Sequence, residues 1–126
     1  MSAIFLPPQE RTVKNTEDKL VVMVHGYPDG SKRGADHIFD DLEAVITQDG
    51  YATLRFDLRD CGESDKTDNG FSLKNAVADI QNVFAWAKER ERPRIILIAE
   101  GLGAALALSL QSPQVECAIL LWAILD

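Results

Sequence analysis

Three short stretches carry residue types and spacings that could do chemistry: HGYPDG from His25, DLRDCGESD from Asp57 and AEGLGA from Ala99. In the third, an apolar run (IILIA) meets a tight glycine turn and then an alanine-leucine helix. That is the layout of a nucleophile elbow, a sharp strand-to-helix turn that lifts one side chain above a parallel sheet. Ala99, Gly101 and Gly103 fit its small-x-nucleophile-x-small pattern, which arises because strand and helix approach too closely for bulk. The apex, however, is Gly101, which has no side chain. Glu100, one position earlier, is expected to point elsewhere and so not to replace the missing nucleophile. Two other readings stand beside this one. As a dinucleotide loop, Gly101-Leu102-Gly103 follows a strand, and Asp126 sits roughly where a ribose-binding acid would, about 20 residues on. The third small position of that fingerprint falls on Leu106. As plain structure, the stretch is a glycine turn that opens a packed helix.

His25-Gly26-Tyr27-Pro28 follows an apolar run directly. A glycine there lets backbone N–H groups face a developing oxyanion, but a turn that merely ends a strand would use the same residues. The loop after Asp57 holds Arg59, Asp60, Cys61, Gly62, Glu63 and Ser64. Alternating charges of this kind pin a loop by mutual hydrogen bonds more often than they catalyse. Cys61 has no histidine evidently placed to activate it.

The elements that must position these stretches follow from apolar periodicity. Residues 1–18 are polar and proline-marked, a loose arm with room for one short strand, and 19–126 form the core of a single domain. Leu20 to Gly26, Thr53 to Arg59 and Arg94 to Ala99 read as buried strands, with Cys117 to Leu125 as a fourth. Ile38, Phe39, Leu42, Val45 and Ile46 recur at helical spacing, and Asp49-Gly50 close that helix. A second helix runs from Leu73 to Ala87 with Ser72 as N-cap, and a third from Leu102 to Gln111 before Pro113. Strands alternating with helices predict an α/β class: a parallel sheet in three α/β/α layers, with about four core strands and three helices. Ligands of such sheets bind beyond the carboxyl ends of the strands, where all three stretches lie.

Composition excludes several partners. A net charge of -7 argues against a phosphate backbone, and the run Lys88 to Arg94 alternates with glutamates as a solvated helix end does. The N-terminus lacks a signal-peptide pattern, and Cys117 to Leu125 is too short an apolar run to cross a bilayer. Two cysteines without metal-type spacing suit a reducing cytoplasm and call for no metal or cofactor.

Together, the strand plus HGYPDG, the strand plus DLRDCGESD and the IAEGLGAA elbow resemble the N-terminal half of an α/β-hydrolase. The resemblance is to the serine-hydrolase branch of carboxylesterases, feruloyl-type esterases and lysophospholipase-like enzymes, and it runs from Leu20 to Asp126. The second loop is similar to that family's D-x-R-G-x-G-x-S, carried here by Asp57, Arg59, Gly62 and Ser64, with Asp60 in place of a glycine. The resemblance implies backbone oxyanion donors at Tyr27 and Leu102, both facing one small cavity near Gly101 that favours an anion or a water. Gly101 takes the serine's place and Glu100 that of the variable residue before it. In this fold the acid and the histidine follow the nucleophile, yet His25 and His37 are the only histidines, and both precede Gly101.

The expectation is therefore a truncated α/β-hydrolase-like chain with no independent turnover. A small ester remains its natural ligand class. The rival readings are a hydrolase completed by another chain, a nucleotide-binding module and a non-catalytic interaction protein. By the same resemblance the strand order is second-first-third-fourth. That leaves Cys117 to Leu125 at an apolar open edge, which implies a homodimer or larger oligomer.

Overall fold

The computed structural model describes residues 1–9, 16–27 and 30–122. Five strands and three α-helices make up the described fold: β1 (Ala3–Leu6), β2 (Lys19–Val24), α1 (Ile38–Gln48), β3 (Ala52–Phe56), α2 (Leu73–Glu89), β4 (Arg94–Glu100), α3 (Gly101–Ser109) and β5 (Val115–Leu121). A single 3-10 turn, Ala35–His37, leads into α1. The sheet order is β1-β3-β2-β4-β5, with β2 to β5 parallel and β1 antiparallel on β3. This is the expected α/β/α arrangement, and the four core strands take the expected order.

The residues of β2 and β3 are buried on both faces, as continuous apolar runs in a covered parallel sheet must be. Leu20, Val22, Val24, Phe56 and Leu97 pack on the side of α2 and α3, where Ile80, Phe84, Ala104 and Ala107 meet them. Val21, Met23 and Ile98 pack on the other side against Phe39 of α1. Two helices on one face and one on the other is the layer arrangement that the connectivity predicts. The Ser72 hydroxyl caps α2 by accepting from the Asn75 N–H at 3.1 Å.

Several boundaries move. The N-terminal arm contains its short strand as β1, tied down further by the Asp57 N–H donating to Ser2 O at 2.8 Å. The third helix starts at the apex, Gly101, and ends at Ser109. The last strand starts two residues earlier than expected, at Val115, and ends at Leu121, where Trp122 turns to φ +36°. The remainder of the expected strand, 123–125, and Asp126 lie outside the described residues. Register aligns the strand ends: Val24 pairs with both Phe56 and Ala99, so the three loops of interest leave the sheet on one side.

Candidate functional site

The elbow is built as its spacing requires. β4 runs directly into α3, and Gly101 at the junction adopts φ +55°. That left-handed conformation suits glycine and is strained for other residues. A Cβ placed on Gly101 would meet nothing nearer than Gly26 Cα, at 3.6 Å, so the apex has room for a side chain. Gly103 has no such room: a Cβ there would lie 2.1 Å from the His25 carbonyl oxygen. Its smallness is thus explained by α3 packing on the end of β2.

Above the elbow lies a cavity of about 350 Å³, lined among others by Gly26, Tyr27, Ala35, Glu100, Gly101 and Trp122. Tyr27 and Gly101 therefore share one cavity, while Leu102 is not among its lining residues. Tyr27 is held by stacking on Phe71, with ring centroids 3.7 Å apart. Glu100, expected to point elsewhere, is 3% exposed and lines the same cavity. Its Oε1 accepts from the Gly26 N–H at 3.3 Å and its Oε2 from the Ala35 N–H at 3.2 Å. The anion that this spot favours is the chain's own carboxylate. A second cavity, of about 340 Å³, lies between β1 and α2, shares no lining residue with the first and is apolar except for Asn82.

His25 is fully buried. Its Nε2 accepts the Leu58 N–H at 3.0 Å, which puts the ring proton on Nδ1, 2.6 Å from Gly26 O. Burial pushes the His25 pKa below its usual value against the opposing pull of that carbonyl, Asp57 and Glu100. The ring is a neutral strut joining the loops after β2 and β3, with both nitrogens occupied. His37, largely exposed, lies 4.0 Å from Asp40.

The second loop is pinned by Asp57, which is fully buried. Its carboxylate accepts from Lys32 Nζ at 2.8 Å, the Lys32 N–H at 2.6 Å and the Glu63 N–H at 2.8 Å. Burial opposes that charge, yet the Lys32 ammonium and the two N–H donors outweigh it and hold the carboxyl below the usual range. Gly62 lies against this carboxylate, and the Ser64 hydroxyl donates to Asp57 O at 2.5 Å. Arg59 reaches away to α2, its Nε donating to Asp79 at 2.8 Å. Asp60 stands at φ +68°, which accounts for a glycine in the related pattern. Its carboxylate secures the turn by accepting from the Thr67 N–H at 2.6 Å and the Thr67 hydroxyl at 2.8 Å. Burial pushes the Cys61 thiol up, away from a reactive thiolate. Asp57, Arg59, Asp60 and Ser64 are thus brought together as scaffolding for the loop.

Sequence reasoning missed Lys32, Ala35 and Trp122 as site neighbours. Lys32 sits in a polar loop with no periodic signal, Ala35 contributes only its backbone, and Trp122 reads as part of an apolar patch on the last strand. Among the described residues, no group of three or more His, Cys, Asp or Glu is placed to hold a metal ion.

A family model described as serine aminopeptidase, S33, matches residues 15–124. The chain belongs to that family. Solved structures agree on the α/β-hydrolase fold. An esterase from Exiguobacterium antarcticum is 22% identical with a TM-score of 0.73, covering 96% of this chain and 40% of its own. The Pyrococcus furiosus esterase Pf2001 is 26% identical with a TM-score of 0.68, covering 83% and 42%. Est1E from Butyrivibrio proteoclasticus, solved with ferulic acid bound, is 21% identical with a TM-score of 0.73, covering 92% and 46%. This chain thus spans less than half the length of each of these three. No curated protein matches it.

Proposed function

We propose that this chain is a relative of carboxylic-ester hydrolases that carries no turnover of its own. The observation that carries the reading is Gly101 at the apex of an otherwise well-formed elbow. Without a nucleophile the acyl-transfer step cannot start, and what remains is weak catalysis from binding and oxyanion stabilisation. His25 is unavailable as a base because both its nitrogens are bonded within the scaffold. The backbone N–H groups of Tyr27 and Leu102 are the proposed oxyanion donors, and a small ester the proposed ligand class. The packing of Gly103 explains its glycine without a pyrophosphate, so nothing favours the nucleotide-binding reading over this one. The test is turnover: the isolated protein should hydrolyse a short acyl nitrophenyl ester no faster than buffer. Turnover abolished by a serine-directed phosphonate would overturn the reading.

A second reading, self-association, rests on β5. Glu116, Cys117, Ala118 and Ile119 are exposed on it, Ile119 at 48%, and no lysine or proline guards the edge. Antiparallel pairing of two such edges about a twofold axis would extend one sheet across both chains. A cytoplasmic location is proposed from the two free cysteines, Cys61 buried and Cys117 exposed. None of the described helices is long and apolar enough to cross a membrane.

A further inference from the structure

We infer that the cavity above the elbow is a binding site for a small organic ammonium cation, recognised by the Glu100 carboxylate and the exposed Trp122 ring. Glu100 is buried, yet its hydrogen-bond partners are two backbone N–H groups at 3.2–3.3 Å, and among the described residues it makes no salt bridge. A buried carboxylate is costly unless a charge pairs with it. Its two oxygens offer about four acceptor positions, of which the N–H groups use two. His25 lies near enough to feel this charge, but its ring is neutral and supplies no counter-charge.

The other walls fit a cation as well. Trp122 is 60% exposed and Tyr27 is 40% exposed, and both line the cavity. Aromatic faces attract organic cations through the ring quadrupole. The volume, about 350 Å³, falls at the small end of ligand pockets. With glycine at the apex, no side chain projects from Gly101 into the space. The same arrangement rejects carboxylates and phosphates, because Glu100 already takes the N–H groups of Gly26 and Ala35 and places its own negative charge there.

This inference goes beyond the catalytic reading, since binding and turnover are read separately and either can fail alone. The experiment is an NMR titration of the full chain, following the amides of Gly26, Ala35 and Gly101 and the Trp122 indole. Tetramethylammonium should shift them along one saturable curve, while acetate and the neutral isostere tert-butanol should bind at least about tenfold more weakly. Glu100→Gln should weaken cation binding by about tenfold or more, and Trp122→Ala by about threefold or more. Should Glu100→Gln fail to fold, Trp122→Ala alone decides, since that ring is exposed at the sheet edge. Equal shifts from tert-butanol, no saturable shift, or Trp122→Ala binding like the native chain would each overturn the inference.

Discussion

At the scale of single residues, the two glycines of the elbow are small for different reasons, and substitution should separate them. A Cβ on Gly103 would lie 2.1 Å from the His25 carbonyl, so Gly103→Ala must push α3 off β2. Urea unfolding should show a loss of about 1–3 kcal/mol or more, the cost of overpacking. Gly101→Ala meets only the φ +55° penalty and should lose about 1 kcal/mol. His25 sets a pH dependence. Its folded pKa lies below the usual value near 6.5, so the unfolded chain binds the proton more readily. Stability from this group is fully present above about pH 6.5 and is lost as pH falls below it, with a slope of at most about 1.4 kcal/mol per pH unit. Urea midpoints at pH 7.5 and 5 should therefore differ in the native chain, and a flat profile would contradict the neutral ring. The sequence located both His25 and Gly101 but could not give the ring's partners, because Leu58 N–H lies 33 residues away in the chain.

At the scale of elements, the α1 face shows where periodicity misleads. Apolar spacing puts Val45 on the buried stripe, yet Val45 is 60% exposed, while Glu43 and Thr47 are buried. The reason is Arg55, the penultimate residue of β3 and 7% exposed. Its Nε donates to Glu43 Oε2 at 2.8 Å and its Nη2 to Glu43 Oε1 at 3.2 Å, while Nη1 donates to Asp40 and the Lys32 carbonyl. Burial opposes the guanidinium charge, but Glu43 and Asp40 outweigh it and hold the pKa above its ordinary value. An arginine inside the run TLRF is the signal that could have announced this cluster. Glu43→Ala leaves that cation only partly paired and should cost about 3 kcal/mol in unfolding experiments, whereas Glu43→Gln, which keeps an acceptor, should cost less. Equal losses would mean that the charge is not what draws Glu43 inward. The strands were the most legible elements, since a sheet covered on both faces leaves continuous apolar runs that periodicity cannot blur.

At the scale of the whole molecule, the strand order followed from resemblance alone, while alternation gave the parallel sheet and right-handed crossovers its layers. The open edge at β5 follows from the same topology. Light scattering should show a dimer or larger species at micromolar concentration. Leu121→Lys, at the partly buried end of β5, should dissociate or precipitate it. A compact native monomer would rule out pairing through this edge. The central claim concerns what the elbow lacks, and its most direct test is turnover by Gly101→Ser, assayed on a short nitrophenyl ester with and without a serine-directed phosphonate. The apex has room for a Cβ, but among the described residues neither histidine is ready to activate the new hydroxyl: His25 is bonded on both nitrogens, and His37 is exposed beside Asp40 and does not line the cavity. The account predicts hydrolysis close to the buffer rate. Robust, phosphonate-sensitive hydrolysis in that variant would contradict it.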